Sequence, residues 1–175
     1  MKKAIGLLKK YAPPALYIAA LFLIDQLVKN WAVAALSQNR ITIIEDVFYL
    51  TFATNDGAAW SILSGARGLL LAVTAVAFGL IFYIFKSGLI TTVFGRWTMY
   101  TVLGGALGNL YDRAFRESGL VIDMFDFRLI NFPIFNVADI FITVGGALFI
   151  VHFVWTNLLV KPEDKPVTED EHDPN

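Results

Sequence analysis

Long apolar runs separated by short polar stretches set the pattern of this chain. A bilayer is crossed by about 20 mostly apolar residues in a helix. Four segments read that way, with soft edges: 13–36, 68–85, 97–111 and 136–160. The third is the least apolar and carries many glycines. Between them lie two external segments, 40–64 and 113–135, and beyond them an acidic tail, 162–175. In the first external segment, Ile41-Thr-Ile-Ile44 and Val47-Phe-Tyr-Leu-Thr-Phe52 are rich in β-branched and aromatic residues around Glu45-Asp46, which predicts a small sheet or hairpin. Asp56-Gly57 then marks a turn. Val121 to Phe127 predicts a further extended stretch, kept from merging with the last helix by Pro133.

The placement of cations orients this pattern. Lys2, Lys3, Lys9 and Lys10 precede the first span, and Lys86 and Arg96 bracket the short link between the second and third. Lysine and arginine in short loops favour the cytoplasm, so both termini are expected there and both external segments on the opposite face. Ala32-Val33-Ala34 has the small-x-small form of a cleavage site. The apolar stretch before it is too long for a signal peptide and contains Asp25 and Lys29. Residues 1–161 then form a single membrane-embedded domain, and the tail is expected to be disordered and cytoplasmic. Gly104 and Gly108, four apart, and Gly145, Gly146 and Ala147 predict close helix packing.

Composition narrows the chemistry. Hydrophobic residues make up 57% and charged residues 17% of 175 residues, with a net charge of -1. That excludes a general attraction to nucleic acid. Cysteine is absent, which removes disulfides, cysteine nucleophiles and thiolate metal sites. The two histidines, His152 and His172, make a serine triad or a multi-histidine zinc site improbable.

Ionisable groups within or beside the spans are expensive, and each is a functional candidate. Asp25 and Lys29 share one helix face, an internal ion pair with Lys29 reaching toward the outer interface. Asn109 and Asp112 share a face at the outer end of the third span. An aspartate at a helix C-terminus needs a cation, and Arg113 and Arg116 are at hand. Asp112 is therefore either a helix-end clamp or a catalytic carboxylate. Asn136 and Asp139 open the fourth span, where a capping box would explain both as well as a site would. Asp123 sits in an apolar run, as an exposed loop carboxylate or a site residue. Topology brings Asp112, Asp123 and Asp139 to one membrane face. Carboxylates held close cannot all ionise, so one pKa rises and a shared proton becomes available. That is the electrostatic design of an aspartyl protease.

Five stretches occur in order: Asp25-Gln-Leu-Val-Lys29, Asn55-Asp-Gly-Ala-Ala-Trp-Ser61, Gly104-Gly-Ala-Leu-Gly-Asn-Leu-Tyr-Asp-Arg113, Val121-Ile-Asp-Met-Phe125 and Phe135-Asn-Val-Ala-Asp139. On these the chain resembles the bacterial lipoprotein signal peptidases, or signal peptidase II, over nearly its whole length. The resemblance implies a four-helix membrane bundle with an external β-cradle and a small extracytoplasmic helix, sited in the inner membrane. It implies cleavage of diacylglyceryl-modified prolipoproteins before the lipidated cysteine, by a catalytic pair falling on Asp123 and Asp139. Supporting positions fall on Asn55, Gly57, Asn109, Asp112, Arg113 and Asn136. No metal or organic cofactor is implied, and a monomer in contact with membrane lipid is expected. Two departures stand out. The loop before Asp123 is about two residues longer than usual, which makes Asp126 a reserve candidate, and Trp60 stands where phenylalanine is common.

Three other functions fit parts of the pattern. A proton pathway would use Asp25 and the outer aspartates. An assembly factor would use the external segments to bind a partner. A serine–lysine peptidase would pair Ser61 with Lys29, leaving the aspartates unexplained.

Overall fold

The computed structural model describes residues 1–57, 63–130 and 132–159. Trp60, Ser61 and the acidic tail at 162–175 lie outside the described residues. Four long helices and a three-stranded sheet make up the rest: α1 (Lys2–Leu36), β1 (Ile41–Ile44), β2 (Phe48–Asn55), α2 (Arg67–Ser87), α3 (Val93–Phe115), β3 (Val121–Phe127) and α4 (Val137–Val154). A short 3-10 turn at Arg128–Ile130 follows β3, and α4 ends in a π turn, Trp155–Leu159.

The expected segments form helices, with longer or shifted ends. The first helix begins at Lys2 rather than residue 13 and carries Pro13 and Pro14 inside it. Each proline removes one backbone donor, but the residues before them are good helix formers and almost all exposed, so water can satisfy the freed carbonyls. The third helix reaches from Val93 to Phe115, beyond the expected 97–111 at both ends. Thr92 starts it, accepting from the Gly95 N–H at 3.1 Å while its hydroxyl meets His152 of α4 at 2.6 Å. The far end is held by Arg67 at the start of α2, which donates to the carbonyls of Arg113 (2.6 Å) and Ala114 (3.3 Å). Those carbonyls have no partner within the helix, and a cation there meets the negative end of its dipole.

Three helical stretches among the described residues are long and apolar enough to cross a membrane: Lys3–Leu36, Arg67–Ser87 and Val137–Asn157. α3 falls short on composition. It is also the helix that packs against α1, α2 and α4. Its neighbours turn Leu16, Leu23, Leu27, Val76, Leu80 and Val151 outward, while Asp25, Lys29, Asp112 and Asn136 are fully buried. This inverted distribution, apolar outside and charged inside, is what a lipid solvent selects.

Close packing of α3 rests on small residues. A Cβ at Gly105 would fall on the Ala138 carbonyl oxygen and press on Phe141 and Ile142, each at 3.0 Å. One at Gly108 would occupy the place of the Asp25 carboxylate. Gly146, expected to pack in the same way, has nothing within 4 Å.

The sheet runs in the order β1-β2-β3, antiparallel throughout. The hairpin expected over 41–52 is β1 and β2, and Val121–Phe127 adds the third strand. An irregularity between Leu50 and Ala53 shifts the β2–β3 register, so that Ala53 faces Asp123. Beyond β3 the chain folds back. The N–H groups of Met124 and Phe125 donate to the Phe135 carbonyl at 3.0 and 2.9 Å. This return places Asn136, and with it the start of α4, against Asp123.

The glycine contacts give a paired prediction. Gly105→Ala should lower unfolding stability by about 1–3 kcal/mol, because a backbone carbonyl must move. Gly146→Ala should leave stability unchanged or raise it by up to about 1 kcal/mol through helix propensity. Thermal melts of the two purified variants in one detergent provide the comparison.

Candidate active site

Side chains alternate along a strand, so Asp123 and Asp126 of β3 point to opposite faces. Asp126 pairs with Arg128 at 2.8 Å and has no part in the site. Asp123, only 3% exposed, lies on the face that meets α3 and α4. Its two oxygens accept from the Asn136 amide at 2.6 Å and the Asn55 amide at 3.3 Å. The Asn55 oxygen in turn takes the Gly57 N–H at 2.8 Å, which fixes the turn that the Asp56-Gly57 pair foretold.

The capping box expected at the head of α4 is present. The Asn136 side-chain oxygen accepts from the Asp139 N–H at 3.0 Å, and the Asp139 carboxylate accepts from the Asn136 N–H at 3.1 Å. The same residues reach the other candidate site residues: Asn136 bridges to Asp123, and Asp139 accepts from the Asn109 amide at 2.7 Å. Cap and candidate site were alternatives in the sequence; the same hydrogen-bonded residues serve both in the structure.

Burial is the main reason the Asp123 carboxyl is pushed from 3.8 up to about 7. The Asp139 charge adds to it, while the Asn136 and Asn55 amides and the Lys29 charge work the other way. A carboxyl held protonated near neutrality beside a second carboxylate is an acid–base pair ready for use.

Behind this pair lies an ionic cluster. Lys29 is fully buried and does not reach outward as expected. Its ammonium sits 2.9 Å from Asp25, 2.8 Å from Asp112 and 2.9 Å from the Asn109 oxygen. An ammonium with three oxygen acceptors in reach has no reason to seek the interface. Of the two arginines at hand, the one that pairs with Asp112 beside Lys29 is Arg116, at 2.7 Å, and not Arg113. Arg113 turns the other way, donating to the Gly57 carbonyl at 2.8 Å and the Asn109 carbonyl at 3.5 Å. Its Nε is buried and has no hydrogen-bond partner among the described residues.

Gln26, Arg67 and Arg116 complete the arrangement, though the sequence assigned the first two no role. Gln26 donates to Asp25 (3.0 Å), to the Gly108 carbonyl (3.3 Å) and to Asp112 (3.2 Å). An amide inside an apolar span, adjacent to Asp25, was the available signal.

The pair opens onto a cavity of about 720 Å³ between α2, α3 and α4. Asn55, Asn109, Arg113, Asp123 and Asp139 line its polar end, and Val73, Phe78, Ile81 and Val102 are among its apolar walls. Along α2 it runs from Leu70 to Ile81, about 16 Å at the rise of a helix. Among the described residues no group of three histidine, aspartate or glutamate side chains is placed to hold a metal ion.

Known proteins resemble this chain in sequence and in fold. The family model described as signal peptidase (SPase) II matches residues 17–155. The lipoprotein signal peptidase of Latilactobacillus sakei is 43% identical over 122 residues, covering 69% of this chain and 80% of the relative. That of Halothermothrix orenii is 40% identical over 146 residues, covering 79% and 94%. A bacterial membrane enzyme solved by the in meso method superposes with a TM-score of 0.76 at 27% identity, covering 89% of this chain and 95% of that one. A second such structure gives 0.71 at 28% identity, covering 87% and 96%. A matching fold, with close relatives and a family model spanning most of the chain, leads to one conclusion: this chain belongs to the signal peptidase II family.

Proposed function

We propose that this protein removes signal peptides from diacylglyceryl-modified prolipoproteins, cutting before the lipidated cysteine, with Asp123 and Asp139 as the catalytic pair. Membership of the family makes it an aspartic endopeptidase acting on prolipoproteins. The residue roles rest on one observation above all: Asn136 holds both carboxylates, Asp123 through its amide and Asp139 through its backbone N–H, at the polar end of an apolar cavity.

In this mechanism the substrate's signal helix enters sideways from the lipid along the cavity, its scissile bond reaching the aspartates. The Asp139 carboxylate takes a proton from water as the oxygen attacks the carbonyl carbon. The protonated Asp123, favoured by its pKa of about 7, donates to the carbonyl oxygen. Collapse of the tetrahedral intermediate breaks the C–N bond, and the leaving amine takes up a proton from the pair. No covalent acyl-enzyme forms. Asn55 and Asn109 hold the carboxylates, and the unpartnered Arg113 Nε offers a donor to a substrate carbonyl. Asp112, between Lys29 and Arg116, acts as the helix-end clamp rather than as a third catalytic acid. A serine–lysine mechanism is disfavoured, since the Lys29 amine is committed to three acceptors.

α3 serves as the fourth span in this scheme. Enclosed by the other three helices, it does not need their hydropathy. Residues 1–161 are one domain in the bacterial inner membrane, monomeric, with both termini cytoplasmic and the aspartates at the outer face. The lysines before the first span and the cations around the 86–96 link support that orientation.

Purified Asp123→Asn and Asp139→Asn variants should lose cleavage of a diacylglyceryl-modified prolipoprotein by at least about a thousandfold while melting as folded proteins. Turnover retained by both folded variants would remove the pair from the mechanism.

The raised Asp123 pKa also sets the sign of a stability change. Between its ordinary 3.8 and about 7, the folded protein holds a proton that the unfolded chain has released. Stability should therefore fall as pH rises across that window, by roughly 4 kcal/mol if Asp123 acts alone, and level off above it. Asp123→Asn should lack this contribution. Denaturant titrations of both proteins at several pH values, with parallel curves as the contrary outcome, make the comparison.

A further inference from the structure

Lys29 lies too deep to touch a substrate in the cavity, and an ion pair with Asp25 alone would explain its presence. Its third contact is not explained that way. An ammonium can only donate, so the Asn109 atom 2.9 Å from it must be the amide oxygen. That choice turns the Asn109 N–H groups to the other side, where one meets the Asp139 carboxylate at 2.7 Å. The same oxygen accepts from the Asn136 amide at 3.1 Å, and that amide also donates to Asp123 at 2.6 Å. Lys29 thus stands at the head of a chain of donors and acceptors that ends on both carboxylates.

We propose that Lys29 is a positioning residue for the Asp123–Asp139 pair, acting through Asn109, whose amide it holds with the oxygen toward itself and the N–H toward Asp139. The proposal rests on the peptidase reading and adds to it a residue buried behind the site. Asn136 alone would also favour this orientation of Asn109. Lys29 decides it, because without the ammonium Asp25 and Asp112 each lose one charged donor and compete with Asp139 for the Asn109 N–H. Asp25 acts in the same direction on the backbone, accepting from the Ala138 N–H at 2.9 Å and so fixing the start of the helix that carries Asp139.

The test is a double-mutant cycle on the full-length enzyme in detergent, with a diacylglyceryl-modified prolipoprotein as substrate. Lys29→Met should lower kcat roughly 10- to 100-fold with KM within about twofold, as expected for misplaced catalytic groups rather than lost substrate contacts. Asn109→Ala should lower kcat as much or more. Adding Lys29→Met to Asn109→Ala should then cost no more than about twofold, because the lysine acts through an amide already gone. The cycle is repeated in an Asp25→Asn background, where loss of Lys29 leaves Asp112 balanced by Arg116 and the residue 25 oxygen still available to Ala138. Full multiplication of the two effects would overturn the proposal, as would an unchanged kcat in either single variant. Loss of folded protein on removing Lys29 in both backgrounds would also overturn it, since the lysine would then serve the bundle itself. Parent enzyme and Asp139→Asn are assayed alongside. A parent that does not cut marks failure of the peptidase reading, whereas an Asp139→Asn that still cuts overturns the assigned pair and the lysine's role with it.

Discussion

One buried ammonium holds the aspartate-bearing end of this molecule together. Lys29 lies between Asp25 on its own helix and Asp112 on α3, with Arg116 completing a set of two anions and two cations. Charges taken out of water are tolerated only when paired and hydrogen-bonded, and removing one partner of such a set costs about 3–5 kcal/mol. The cluster therefore constrains everything bonded to it. Asp25 reaches the start of α4, Asp112 accepts from the Ile122 N–H of β3 at 3.4 Å, and Gln26 spans α1 and α3. The elements carrying Asp123 and Asp139 are thus fixed to the same ionic centre that stands behind them.

The weak hydropathy of α3 is a result of its place. A helix facing lipid must be apolar, whereas one enclosed by three others can carry Asn109, Asp112 and a row of glycines. The polar groups find partners inside the bundle, and the glycines allow backbones to approach. The cavity follows from the same arrangement. α1 and α4 close tightly on the small-residue faces of α3, while the α2 side leaves space that ends at the aspartates.

Much of this could be read from the chain. Hydropathy located the helices, and β-branched runs located the strands. The spacing of Asn136 and Asp139 announced a capping box, and five ordered motifs pointed to the family. What could not be read was long-range. That Lys29 crosses to residues about 80 positions away depends on the packing of α1 on α3, made close by Gly108. The choice of Arg116 over Arg113 follows from helical periodicity: four residues on from Asp112 is a neighbour on the same face, and the adjacent residue is not. α1 extends back to Lys2, beyond the apolar segment at 13–36, because exposed turns before Pro13 and Pro14 tolerate the missing donors.

The first turn of α4 has a consequence for motion. Helix ends normally fray, because their first N–H groups lack partners within the helix. Here the N–H groups of Asn136, Ala138 and Asp139 are each taken by a side-chain oxygen, one of them from another helix. Amide protons at this end should exchange more slowly than those of an ordinary helix start, and freeing the Ala138 N–H from Asp25 requires α1 and α4 to part. Asp139 therefore sits on a helix terminus whose donors are held as they are in a helix middle.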